Sequence, residues 1–128
     1  MDITHRKRGC RSLIKDIYPG EKLNASAGEE KLMAVFNPLF DTITERAPHL
    51  ARTIEAVKLY YQIDKKSTGD YCRTIKEVGE TIGNKTIGGN KKGVTGSRAA
   101  SLVKTGLRVL RHPARRDYFE PFFQRGNF

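Results

Sequence analysis

The sequence predicts an all-α chain: a small helical domain with a C-terminal helix-turn-helix of lengthened turn, preceded by a basic N-terminal arm. Three observations predict it. Apolar residues recur at three- and four-residue steps through most of the chain, and no stretch alternates strongly enough to build a sheet. A short helical pattern with a small residue in its middle is followed by a longer one with one apolar and one basic face, the layout of a helix-turn-helix. At 128 residues the chain has room for one modest core without disulfide staples.

Residues 1–28 are read as the arm. They combine HRKRGCR, the turn pair Pro19-Gly20 and the polar run NASAGEE, with Leu13, Ile14, Ile17, Tyr18 and Leu23 as the apolar content, enough for a helical turn or two. The helical domain is assigned to 29–128. Its first element places Leu32, Val35, Phe36, Leu39, Phe40 and Ile43 on one helical stripe. Pro38, with Asn37 as a ready cap, favours two short helices over one kinked helix. A second amphipathic segment follows Pro48, aligns Leu50, Ile54, Val57 and Tyr61, and ends near the polar turn DKKSTGD.

The third element, Thr74 to about Ile82, opens on a capping box in which Thr74 and Glu77 bond to each other's backbone N–H. Gly79 in its interior points to a closely packed neighbour. After a long connection rich in glycine and lysine comes the fourth element, with Thr95 as N-cap and Pro113 as terminator. Ala99, Leu102, Val103, Gly106 and Leu110 form its apolar stripe, and Lys104, Arg108, Arg111 and Arg115 form a cationic row beside it. The aromatic tail DYFEPFFQRGNF either folds back on these helices or docks on a partner; folding back is the expectation.

The formal net charge of +10 is concentrated between residues 84 and 116, where Lys85, Lys91, Lys92, Arg98, Lys104, Arg108, Arg111, Arg115 and Arg116 occur without an Asp or Glu. Such a field is a statement about polyanionic partners. In a helix-turn-helix the second helix enters the DNA major groove while basic side chains around it hold phosphates. The DNA-binding set is therefore Thr95, Ser97, Arg98, Ser101, Lys104, Arg108, Arg111 and Arg115, with Lys85, Lys91 and Lys92 in the connection. That connection is either a phosphate- or partner-binding loop or an insertion of the kind surface loops tolerate. Cys10 and Cys72, and His5, His49 and His112, are too scattered for a metal site. No local grouping of nucleophile, base and acid marks an enzyme, and the glycine-lysine run lacks the P-loop spacing, so neither cofactor nor small-molecule substrate is expected. With no secretory signal and no apolar run near the roughly 20 residues of a membrane span, the expected location is cytoplasmic, with reduced thiols.

TIKEVGETIG followed by GVTGSRAASLVKTGLRVLRHPARRDYF resembles the fourth conserved region of primary-type bacterial sigma factors, and the likeness extends from Ala51 to Phe119. Val94 and Thr95 match the family's entry into the second helix, Arg98 its second arginine there, Leu102 its buried isoleucine, and Leu107, Leu110, Arg111, His112 and Pro113 its closing motif. Gly96, Ser97, Ala100 and Ser101 depart from it, standing where the family carries the arginine, glutamate, arginine and glutamine that read the upstream promoter hexamer. The resemblance implies a sigma-like transcription regulator of phage or mobile-element type that binds double-stranded DNA and attaches to the beta flap of RNA polymerase core. It implies Leu50, Ile54, Val57, Tyr60 and Tyr61 as the partner-binding face, although the same residues also suit a core. The departures imply weak or altered base reading. The alternative is a stand-alone repressor or RNA-binding protein with no polymerase partner.

Overall fold

Thr95 accepts a hydrogen bond from the Arg98 backbone N–H through its hydroxyl (3.1 Å), and this cap starts the longest basic helix of the chain. The structure, a computed structural model, describes residues 9–25, 27–63, 74–84 and 95–124. In order these form α1 (Gly9–Ile17), α2 (Glu29–Arg46), a 3₁₀ turn at Pro48–Leu50, α3 (Ala51–Tyr61), α4 (Ile75–Asn84) and α5 (Gly96–Leu110). Further 3₁₀ turns at Pro113–Tyr118 and Glu120–Phe122 follow α5. Among the described residues the one piece of β pairing is an isolated antiparallel bridge between Leu23 and Phe123.

Helices α3, α4 and α5 pack on one another, with the most extensive contact between α3 and α5. The five stripe residues expected on α5 are the five it buries. Gly106 lets the two helices close, because a Cβ there would collide with Val57 Cγ2 and stand 3.4 Å from Thr53 Cγ2. The Thr74–Glu77 capping box forms as read, with bonds of 3.3 and 3.1 Å, and Gly79 is buried within α4. His112 takes an extended backbone before Pro113 and ends α5.

Two expectations give way to the structure. Residues 1–28 are not a peripheral arm across their described part: Cys10, Leu13, Ile14 and Ile17 recur at helical spacing along α1 and are buried in the core with Tyr18 and Ala27. Nor is the stretch around Pro38 two helices. α2 runs unbroken through it, since Pro38 lies on the exposed side while Leu32, Phe36, Leu39, Phe40 and Ile43 form one continuous buried stripe. Burial on both sides of the proline holds a helix that loses a single backbone hydrogen bond there.

The aromatic tail folds back, as expected for its described part. Phe119 packs on Phe36 (ring centroids 4.9 Å apart), and Tyr18 meets Phe119 (6.0 Å) and Phe123 (5.4 Å, edge to face). Backbone bonds from Asn24 to Phe122 (2.8 Å) and from Gln124 to Lys22 (2.6 Å) secure it to the segment after α1. The Arg116 guanidinium lies over the rings of Tyr18 and Phe123, at 5.4 and 5.1 Å, and pairs with both Glu21 and Glu120. Phe128 lies outside the described residues.

Two stability predictions follow from this packing. Gly106→Ala should destabilise the fold by about 1–3 kcal/mol through overpacking, and Leu110→Ala by about 2–5 kcal/mol through the cavity it leaves. Denaturant unfolding measures both, and an unchanged midpoint for either would contradict the α3–α5 interface. The Tyr18 hydroxyl is buried without a hydrogen-bond partner among the described residues, and burial pushes its pKa up against the smaller opposing pull of Arg116, Arg111 and Arg115. The unfolded chain therefore loses this proton first, so the contribution is intact below the ordinary tyrosine value near 10 and is lost as pH rises above it. Tyr18→Phe should leave neutral-pH stability unchanged or raise it by ~1 kcal/mol, and should flatten the alkaline decline seen in unfolding curves taken above pH 10.

Candidate nucleic-acid interface

The apolar stripe of α5 faces α3 and α4, which turns the opposite side of the helix to solvent. Thr95, Ser97, Arg98, Ser101, Lys104 and Arg108 are exposed there. The side chains of Arg98, Lys104 and Arg108 have no partner among the described residues. Ser97 and Ser101 stand on the same side, and Thr95 is committed to the cap. The face is thus cationic and shallow: no long amide or acidic side chain occurs among its exposed positions.

The rest of the expected cationic row is used inside the molecule. Arg111 is exposed over part of its surface, yet its Nε and an Nη donate to the carbonyls of Ile17 (2.9 Å) and Asp16 (3.1 Å). These are the last carbonyls of α1, which lack intrahelical donors, and a cation is favoured at that end of the helix dipole. Arg115 donates from Nη1 to the carbonyl of Val109 (2.9 Å), in the last turn of α5. The two arginines read as phosphate contacts therefore serve as helix caps. Lys85, Lys91 and Lys92 lie outside the described residues.

The expected partner face is also corrected in part. Ile54, Val57 and Tyr61 are core residues, 3%, 0% and 2% exposed, so they offer no surface to another protein. Tyr61 donates its hydroxyl to Asp16 Oδ2 (2.5 Å) and ties α3 to α1. Leu50 and Tyr60 are half-buried. Leu50 closes the 3₁₀ turn that leads into α3, the other four lie on α3 itself, and α3 packs on α1, α2, α4 and α5.

Sequence reasoning missed the device at the other end of α1. Glu29, in the first turn of α2, accepts from the backbone N–H groups of Cys10 (2.9 Å) and Arg11 (3.0 Å). Gly9, at φ +79°, makes room for it, since a Cβ there would stand 2.7 Å from Glu29 Oε1. Arg11 in turn donates to the carbonyl of Ala27 (2.6 Å). An acid pair opening a helix was visible in GEE, but its target lies far back along the chain and no local pattern names it.

Among the described residues, no helix is long and apolar enough to cross a membrane, and no group of three His, Cys, Asp or Glu side chains is placed to hold a metal ion. No family model, no curated protein and no solved structure matches the chain.

Arg111→Ala should lower stability by about 1 kcal/mol through loss of the α1 cap, whereas Arg108→Ala should leave it within about 0.5 kcal/mol, as for an exposed side chain with no partner among the described residues. Thermal melts of the two variants side by side make the comparison, and equal melting shifts would refute the division of the row into caps and free cations.

Proposed function

We propose that this chain is a DNA-binding transcription regulator that lays the exposed side of α5 on duplex DNA, with Arg98, Lys104 and Arg108 on phosphates. The observation that carries the reading is the contrast within one acid-free run. Arg111 and Arg116 are taken up by carbonyls, carboxylates and aromatic rings and Arg115 gives one N–H to a carbonyl, while these three remain outward without partners among the described residues. Cations held out of the core with no compensating acid raise the local potential and attract a polyanion. The resemblance to sigma region four supports the docking direction, with the N-terminal part of α5 nearest the bases.

Binding on this reading is dominated by the backbone of DNA. Serine hydroxyls hydrogen-bond several bases alike, and glycine and alanine make no bidentate contact, so Gly96, Ser97, Ala100 and Ser101 provide little of the roughly 1–3 kcal/mol per base pair that a matched arginine or glutamine supplies. The sigma-like attachment to the polymerase flap is the weaker half of the expectation, because Ile54, Val57 and Tyr61 are buried. The stand-alone nucleic-acid-binding alternative gains by the same observation.

Lys104→Ala and Arg108→Ala should each weaken binding to unrelated duplexes by similar factors, and each should flatten the log–log dependence of affinity on salt by about 0.9. Fluorescence anisotropy with two duplexes of different sequence, titrated across a salt series, measures this. Unchanged affinity in the folded double variant would overturn the interface, and loss confined to one duplex would replace backbone binding by base reading.

A further inference from the structure

The C-terminal half of α2 separates two clefts of opposite charge. One, of about 310 Å³, opens between α2 and α3 and is lined by Asp41, Glu45 and Glu55 together with Lys58. The other, of about 270 Å³, opens between the last turns of α2 and the 3₁₀ segment that follows α5. Leu39, Ile43 and Leu50 give it apolar walls, Arg46 and Arg115 give it cations, His112 gives it an imidazole, and no acidic residue lines it. Tyr118 also lines it and is 55% exposed, the one large apolar side chain so exposed among the described residues.

We propose that this second cleft is a docking site for an acidic segment of a partner protein, which rests one aromatic or large aliphatic side chain between the half-buried Leu50 and the exposed Tyr118, over a floor formed by the buried Leu39 and Ile43, and sets flanking carboxylates on Arg46 and Arg115. Charge chooses the occupant's sign. The Arg46 side chain is exposed and has no partner among the described residues, and Arg115 spends one N–H on Val109, which leaves the rest of its planar fork for a carboxylate. His112 accepts the Ala114 N–H through Nδ1 (3.1 Å), so its neutral ring carries its own proton on Nε2 and adds a second kind of donor.

Volume chooses the occupant's size. At about 270 Å³ the cleft falls just short of the roughly 300–1,000 Å³ of sites that enclose a small ligand, and it suits a side-chain anchor better than a cofactor. The apolar walls disfavour nucleic acid, whose phosphate backbone brings no apolar group to cover them. A second copy of this chain is disfavoured as well. Its complementary acidic surface is itself concave, and two hollows leave each other unfilled. Tyr118 has the type, exposure and position of the aromatic residues that anchor protein interfaces.

Anisotropy of a short fluorescent peptide made of Asp, Glu and Leu with a single phenylalanine, titrated with the full chain, tests the proposal. Its controls are the same peptide with serine for phenylalanine and one with lysine for every acid. Saturable binding of the first peptide is expected, at least about tenfold weaker for the serine control and absent for the lysine control. Arg46→Glu and Tyr118→Ser should each weaken it by at least about tenfold while leaving the far-UV circular dichroism unchanged, since both side chains are exposed. Three results would overturn it: no saturable binding, equal affinity for the serine control, or affinity unchanged in both variants. Sedimentation that shows a dimer dissolved by Arg46→Glu would overturn it too, by making a second copy the occupant. None of these readouts depends on DNA binding, so this proposal and the proposed function fail separately.

Discussion

Helix α1 is nine residues long, too short to persist alone in water, and it is held by an anion at one end and a cation at the other. Glu29 takes up two orphan N–H groups at its start, and Arg111 takes up two orphan carbonyls at its finish. Both charges have the sign that the helix dipole favours at that end. The clamp joins the opening of α2 to the end of α5, which lies more than ninety residues further along the chain than α1. Once α1 is seated, Leu13, Ile14 and Ile17 are core, and the tail from Arg116 to Phe123 has a surface on which to close.

That clamp also sorts the cations. A large positive charge states a preference for polyanions, but it does not say which side chains express it. Arginine presents several donors in a rigid plane, so it satisfies paired carbonyls or carboxylates and covers aromatic rings in ways lysine does not. Arg11, Arg111, Arg115 and Arg116 are all used in this manner. Arg98, Lys104 and Arg108 point the other way because the opposite side of α5 is fully taken up by Leu102, Val103, Gly106 and Leu110 against α3 and α4. The outward field is therefore narrower than the run of basic residues, and it runs from Arg98 in the first turn of α5 to Arg108 in the last.

What was legible in the sequence was local. The stripe and cap of α5, the Thr74–Glu77 box and the stop before Pro113 each depend on residues within about one or two turns of each other, and each formed as read. The misreadings are long-range. Cys10, Leu13, Ile14 and Ile17 have ordinary helical spacing, but basic residues on either side and the Pro19-Gly20 turn disguised a core helix as an arm. Pro38 is tolerated because burial on both sides of it outweighs one lost bond. Ile54, Val57 and Tyr61 look the same in sequence whether they meet a partner or their own core, and only the docking of α1 and α5 decides. At the candidate site, nothing in the spacing of Arg108 and Arg111 distinguishes a free cation from a cap; the difference is whether another helix ends beneath the guanidinium.

The two proposed surfaces share one helix and are nonetheless nearly independent electrostatically. The axis of α5 rises about 18 Å between Arg98 and Leu110, at roughly 1.5 Å per residue, and the basic cleft begins beyond its end at His112. At physiological ionic strength exposed charges are screened over about 8 Å. Carboxylates seated at Arg46 and Arg115 would thus leave the potential at Arg98 almost unchanged, while Arg108, much nearer the cleft, would sense them. An acidic partner would on this basis loosen the trailing end of the DNA contact before the leading end, and the effect would fade as salt rises. Coupling between the sites is consequently set by the distance along one rigid helix, whose far end is fixed by the Arg111 clamp on α1.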